Sequence, residues 1–221
     1  PLTVSIKDTS SAVEKNLDAL ENLAESGKLT AIGLTDLNKA ILTITGKSYF
    51  NNSSVLNKIS SDAFALTVTN VSAADAENVA SDSRVNSFTV ADTASAILGL
   101  TLLSSKLSSL IVTGRDNALS FDEFITLNGL PNFSLGKGAA LSVSDTSETI
   151  AQNLHALQTW IKSGLLSSIQ LTDTSSPTFT VTGEEFLANH DVFLALASSE
   201  KHNGPHFNLQ LADGETITVA D

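Results

Sequence analysis

The stretch whose residue types come nearest to chemistry is GRDNALSFDEF, Gly114 to Phe124. It is rich in side-chain oxygens, and its end resembles the end of an EF-hand loop, where a bidentate Glu supplies the twelfth ligand to calcium. If Glu123 takes that place, the first and third ligands fall on Val112 and Gly114, which have no carboxylate to give. Asp116, Asp122 and Glu123 are therefore calcium candidates on half a motif, set against an ordinary acidic surface turn. Calcium is the only cofactor left open. The glycine-rich calcium nonapeptide G-G-x-G-x-D does not occur.

Other chemistries fail on spacing. TGKS, Thr45 to Ser48, looks like the tail of a phosphate-binding loop, but the loop's first Gly would be residue 41, which is Ile41. The corresponding TGEE, Thr182 to Glu185, puts two carboxylates where phosphate would sit. GKGAA, Gly136 to Ala140, precedes a strand and reads as a loop. There is no G-x-S-x-G nucleophile elbow and no H-E-x-x-H zinc helix. His155 falls on a helix face expected to meet solvent. His190 is the remaining histidine; His202 and His206 bracket Asn203-Gly204-Pro205 and could approach each other, but no nearby acidic residue completes a ligand set with them. No catalytic or cofactor-binding residue is assigned, and the chain reads as a non-enzyme.

Charge narrows the partners. In 221 residues, 12 basic against 24 acidic side chains give a net charge of −12. That field repels a phosphate backbone and an anionic membrane surface, and no basic cluster offsets it. Nucleic acid is not an expected partner. The longest apolar stretch, Ala96 to Leu103, is too short to span a bilayer, so no membrane insertion is expected. Hydrophobic residues make up 42%, enough for a core. Cysteine is absent, which removes disulfides and thiolate sites. Methionine is absent too, and the chain opens at Pro1 with no visible signal peptide, which reads as a processed product or an excised fragment.

What the sequence does state clearly is a repeat. NLDALENLAESGKLTAIGLTD (Asn16 to Asp36) and NLHALQTWIKSGLLSSIQLTD (Asn153 to Asp173) agree at 11 of 21 positions without a gap, offset by 137 residues. The match extends to Asp8-Thr9-Ser10 with Asp145-Thr146-Ser147, and to LTITGKSYF with FTVTGEEFL. A degenerate middle copy opens at Asp92 and has a shorter helix. Each copy begins with a β-branched apolar run, LTVSI, FTVA or LSVS, as strands do. Each run meets Asp-Thr, a helix-capping pair. Val13, Leu17, Leu20, Leu23 and Ala24 then fall on one helical face, as do Ile150, Leu154, Leu157 and Ile161. Leu17, Leu20, Leu154 and Leu157 are expected in the core. Trp160, in the place of Leu23, is expected to be buried or half-buried. Gly27 and Gly164 stand where a left-handed helix end is wanted. Ser72 reads as a cap for a helix over about 73–82, and Asp213-Gly214 reads as a hairpin turn between two alternating runs.

VSDTSETIAQNLHALQTWIKSGLLSSIQLTD with FTVTGEEFLANHDVFLAL, together with FALTVTNVSAADAENVASDSRVNSFTVADT, resembles the tandem α/β repeats of very large secreted bacterial surface proteins. The resemblance covers nearly the whole chain, and the middle copy departs from it. It implies an extracellular or cell-surface place and a building or adhesive role. Such proteins often carry calcium-binding repeats and type I secretion signals. No family of catalytic residues comes with the resemblance.

The expected fold is α/β: a solenoid-like stack of β-α repeat units with largely parallel strands and a C-terminal β-hairpin. Its segments are 1–87, 88–139 and 140–221 in one continuous stack. The expected function is a structural module, an adhesin spacer or a surface-layer or filament protomer, associating head to tail or with neighbouring repeats. The alternative is a binding module that takes glycan or protein at the strand-end turns; with 5% aromatic residues the spacer is favoured.

Overall fold

The computed structural model of the chain describes residues 2–60, 62–101, 104–200 and 206–212. The first copy runs β1 (Val4–Asp8), α1 (Ser10–Lys15), α2 (Leu17–Glu25), β2 (Leu29–Leu34), β3 (Ala40–Thr45), α3 (Gly46–Asn51) and α4 (Ser53–Leu56). Then come β4 (Phe64–Val71), a 3-10 turn (Ala73–Asp75) leading into α5 (Ala76–Ser81), and β5 (Val85–Asp92). The middle holds α6 (Ala94–Leu98), β6 (Leu107–Val112), β7 (Asn117–Leu119), α7 (Phe121–Asn128) and β8 (Phe133–Leu135). The last copy runs β9 (Leu141–Asp145), α8 (Ser147–Gln152), α9 (Leu154–Lys162), β10 (Ser168–Leu171), β11 (Thr178–Val181), α10 (Gly183–Ala188), α11 (His190–Glu200) and β12 (Asn208–Leu211).

The helices start and bend for the same local reasons each time. Thr9, Thr45, Thr146 and Thr182 are N-caps, each accepting from the amide three residues on. Seven residues after each Thr stands an Asn whose backbone leaves the helix: Asn16 (φ −115°), Asn52 (−117°), Asn153 (−124°) and Asn189 (−118°). Its side-chain amide donates to the carbonyl four residues back, Ala12, Ser48, Thr149 or Glu185, at 2.8, 2.9, 2.8 and 2.8 Å. At Asn16 and Asn153 the side chain takes the acceptor a continuing backbone would use, the backbone amide turning to Val13 or Ile150, while at Asn52 and Asn189 backbone and side-chain amides share it. What reads in the sequence as one helix over 11–26 is thus two short helices with an Asn at the bend. Gly27 (φ +69°) and Gly164 (φ +75°) hold the left-handed ends, where a Cβ would be strained.

The contacts divide the chain into two compact units, Pro1–Asp92 with Gly99–Val112 and Pro131–Ser134, and Thr93–Leu98 with Thr113–Leu130 and Leu135–Asp221. The first unit holds the two-stranded sheet β1-β2 and the sheet ordered β3-β4-β5-β6-β8. Its core is built from Val13, Leu17 and Leu20 of the helices and from Leu42, Phe64, Leu66, Val68, Phe88 and Val90 of the strands, all buried. The second holds β10-β9-β7 and β11-β12, with Phe124, Leu141, Val143, Leu154, Leu157 and Ile169 buried. Strand pairing is parallel in the described registers of both units. The fold is therefore α/β with mostly parallel strands in several sheets.

At the C-terminal end β12 adds in parallel to β11, with Leu209 opposite Phe179 and Leu211 opposite Val181. The turn at Asp213-Gly214 and the second run of the expected hairpin lie outside the described residues.

Candidate functional site

The polar residues that recur are the natural candidates for a site, and the fold gathers them at the strand ends. Ser10, the first residue of α1, donates its amide to Asp36 Oδ2 at 2.8 Å and its hydroxyl to Oδ1 at 2.9 Å. Ser147 makes the same pair of bonds to Asp173, both at 2.8 Å. Elsewhere the first helical amide after a cap donates to a carboxylate or amide oxygen at a neighbouring strand's end. Ala73 bonds Asp92 at 2.9 Å, Phe121 bonds Asp145 at 2.9 Å, and Ala94 bonds Asn117 at 2.8 Å. Each acceptor relieves an amide that has no partner inside its helix, at the end where the helix dipole favours negative charge. The Ser10 amide and hydroxyl hold the Asp36 carboxyl below the usual range. For Asp145, partial burial opposes ionisation, and the amides of Phe121 and Thr146 outweigh it, so that carboxyl is lowered too.

Among the three Asp that open the copies, Asp145 bonds the Thr146 amide (2.8 Å) as well as that of Phe121. Asp8 bonds the Thr9 amide at 2.8 Å and, among the described residues, has no counterpart of Phe121. A second recurring contact lies deeper. Buried Glu21 accepts from the amides of Ser54 (3.0 Å) and Val55 (2.6 Å), holding the start of α4. Its equivalent Gln158 accepts from Val192 at 3.2 Å and donates to Asp191 at 2.7 Å. The amide side chain serves both a backbone donor and a carboxylate where Glu21 serves two donors.

The calcium candidates are not drawn into a cluster. Asp116, Asp122 and Glu123 are exposed, and among the described residues no group of three or more His, Asp or Glu is placed to hold a metal ion. Glu123 is committed to a capping box: its Oε2 accepts from the Ser120 amide at 2.8 Å while Ser120 Oγ accepts from the Glu123 amide at 3.2 Å. The half-motif thus runs from the turn after β6 through β7 into the start of α7, in line with the strand, turn and strand of the other copies, and TGKS and TGEE likewise open α3 and α10. Gly46 follows the cap because a Cβ there would lie 3.0 Å from Val71 Cα and 3.1 Å from the Asn70 oxygen. That close approach, and not a phosphate, accounts for the glycine.

His155 is exposed on α9. His190 is exposed with Nδ1 3.6 Å from Asp191 Oδ1. His206 is exposed, and His202 lies outside the described residues. Trp160 is half-buried, its ring 4.5 Å from Phe124 and 5.5 Å from Phe121, so it is packing for α7.

One polar cluster escaped the sequence, because nothing in spacing announces it. The Tyr49 hydroxyl donates to Asp82 Oδ2 at 2.8 Å, and Arg84 clasps the same carboxylate through Nε (3.1 Å) and Nη2 (2.8 Å) while its Nη1 reaches Asn57 at 2.9 Å. Lys106 Nζ donates to the backbone oxygens of Ala80 (2.8 Å) and Asp82 (2.7 Å). Burial opposes the Asp82 charge, but the Arg84 side chain and amide and the Tyr49 hydroxyl hold its carboxyl down to about 2. Burial and the bond to Asp82 push the Tyr49 hydroxyl up to about 12. Every acceptor position faces a protein donor, so the cluster is a clasp between α3, the end of α4 and the loop before β5.

Beside β1 an apolar trough of about 240 Å3 is lined by Ile6, Val13, Ala19, Leu20 and Leu23. In the last copy the equivalent helix face carries Trp160 at the Leu23 position and is covered by Phe121 and Phe124 of α7.

Set against known proteins, the chain matches no family model, no curated protein and no solved structure. No helix among the described residues is long and apolar enough to cross a membrane.

Two outcomes check these assignments. Glu123→Ala should lower unfolding stability by about 1 kcal/mol, as loss of a cap does, by the same amount with calcium and with chelator. A loss confined to calcium-containing buffer would make Glu123 a ligand. Asp82 has a depressed folded pKa, so its contribution is complete above the unfolded value of about 4 and fades as pH falls through about 2. Asp82→Asn should therefore destabilise the chain in denaturant titrations at pH 7, with the gap to the parent shrinking near pH 2. A gap independent of pH would show that the charge is not what matters.

Proposed function

We propose that the chain is a non-enzymatic structural repeat module of a secreted or cell-surface bacterial protein, an adhesin spacer or the protomer of a surface layer or filament. Its β-α units stack in solenoid fashion and associate end to end with neighbouring repeats or further copies. One observation carries this reading: the side chains that the copies share are directed at the chain's own backbone. Thr9 and Thr146 cap helices, Asp36 and Asp173 hold helix-start amides, and Asn16 and Asn153 bridge the bends. A repeat preserved around a binding or catalytic site would instead leave some shared polar groups facing an open cleft. The resemblance to tandem repeats of large surface proteins and the charge of −12 support an extracellular, acidic building unit.

That charge also sets the conditions. Self-repulsion opposes association at low ionic strength and is screened within roughly 10 Å at 0.1 M salt. Size-exclusion chromatography with light scattering should find mainly monomer in dilute low-salt buffer and lengthwise association when salt or calcium is raised. A sharp monomer peak at high concentration in both conditions would overturn self-association and leave only the passive spacer.

A further inference from the structure

The sheets of the first and second units contain the same strand pairs in the same register. In β1-β2, Val4 lies opposite Leu29, the register then slips by one residue, and Asp8 lies opposite Leu34. In β5-β6, Phe88 lies opposite Leu107, the register slips at the same step, and Asp92 lies opposite Val112. The bonds repeat as well. The Val4 amide donates to Lys28 at 2.8 Å as that of Phe88 does to Lys106 at 2.9 Å. Thr30 and Ser108 hydroxyls then donate back to Val4 and Phe88, both at 2.9 Å.

The other pair matches just as closely. In β3-β4, Leu42 and Ile44 lie opposite Leu66 and Val68. In β11-β12, Phe179 and Val181 lie opposite Leu209 and Leu211. Phe64 and Phe207 stand two residues before Leu66 and Leu209. So β11-β12 reproduces the first half of the order β3-β4-β5-β6, and β1-β2 reproduces its second half.

Inside the chain the two halves are joined, and their apolar side chains are sealed. Leu66, Val68 and Phe88 are each 0% exposed. Among the described residues β1 and β12 have no second strand beside them, and the counterparts there are more open, with Leu209 41% and Val4 39% exposed. The apolar trough of Ile6, Val13, Leu20 and Leu23 lies beside the same β1 edge. Because the Val4 amide and the Asp8 oxygen face β2, alternation turns the backbone groups of Ser5 and Lys7 toward that open edge. Asp8 also lacks, among the described residues, the neighbour's helix-start amide that Asp92 and Asp145 accept.

We infer that β12 of one copy of this chain docks in parallel beside β1 of a second copy, Leu211 opposite Val4, rebuilding across the joint the order β3-β4-β5-β6 found within the chain. The register follows from Val68 opposite Phe88 in the β4-β5 pair. The occupant is a second copy because the missing half of each edge is continuous in type with an interface the chain already builds. Charge permits it: β1 presents exposed Lys7, and β12 (Asn208, Leu209, Gln210, Leu211) carries no charge to oppose it. The contact is heterologous, so it propagates. This joint rests on the assembling role proposed above and specifies its geometry.

The chain has no cysteine, so one pair of single variants reads the joint directly. Facing Cα atoms on paired strands lie about 5 Å apart, within disulfide reach. Val4→Cys and Leu211→Cys chains, mixed in raised salt under mild oxidation, should form a one-to-one crosslinked dimer, and the double variant should form a ladder. Leu37→Cys, at a fully exposed loop position, mixed with Leu211→Cys serves as the control. Crosslinking no faster than the control overturns the joint. Light scattering on the unmodified chain then separates the two ideas: association without this crosslink rejects the joint alone, and no association rejects the assembling role as well. Protection of Val4→Cys or of Leu211→Cys from a maleimide in dilute monomer would show that edge already covered by the chain itself, as a C-terminal hairpin would cover β12, and also overturns the inference.

Discussion

The bond on which the rest depends runs from the first amide of a helix to an Asp or Asn oxygen at the end of a neighbouring strand. A parallel strand-helix unit leaves its helix-start amides without partners and its strand ends without a fixed height relative to the next strand. One carboxylate settles both. Asp36 on Ser10 and Asp173 on Ser147 tie β2 to the helix that follows β1, and β10 to the helix that follows β9. Charge-assisted bonds of this kind are roughly twice as strong as neutral ones, and the helix dipole adds to them. Only then do the apolar faces of α1, α2, α8 and α9 come down on the sheets in register, burying Val13, Leu17, Ile150 and Leu157.

That arrangement explains which parts of the structure were legible in the residues. The apolar periodicity that marks Leu17, Leu20, Leu154 and Leu157 as core is a direct record of burial, and all four are buried. Asp-Thr as a cap is legible because the bond is local. The bends at Asn16 and Asn153 were hidden because both halves of the broken helix keep the same apolar face. A signal was present nonetheless: Thr and Asn seven residues apart occur at Thr9–Asn16, Thr45–Asn52, Thr146–Asn153 and Thr182–Asn189. The 36-residue spacing from Thr9 to Thr45, and from Thr146 to Thr182, marks α3 and α10 as helices of the same kind. The Tyr49–Asp82–Arg84 clasp had no such signal, since its members are brought together only by the β4–α5 connection.

The same logic separates structure from chemistry at the suspected calcium turn. An acidic pair following Ser looks like a ligand set and like a capping box, because both need oxygens placed within a few residues. Glu123 is pointed at the Ser120 amide, 2.8 Å away. Polar recurrence in this chain tracks backbone satisfaction, and exposed apolar side chains include Val4 of β1 and Leu209 of β12. Shared residues that hold strands and helices together are what the proposed building unit needs.

Amide hydrogen exchange at the helix-start residues tests the central bond most directly. In Asp173→Ala, the Ser147 amide should lose its protection while that of Phe121, held by Asp145, keeps it. The packing of α8 and α9 should loosen locally before the chain unfolds as a whole. Unchanged protection at Ser147 would mean that the carboxylate is an ornament on a fold fixed by packing alone, and the account would be wrong at its base.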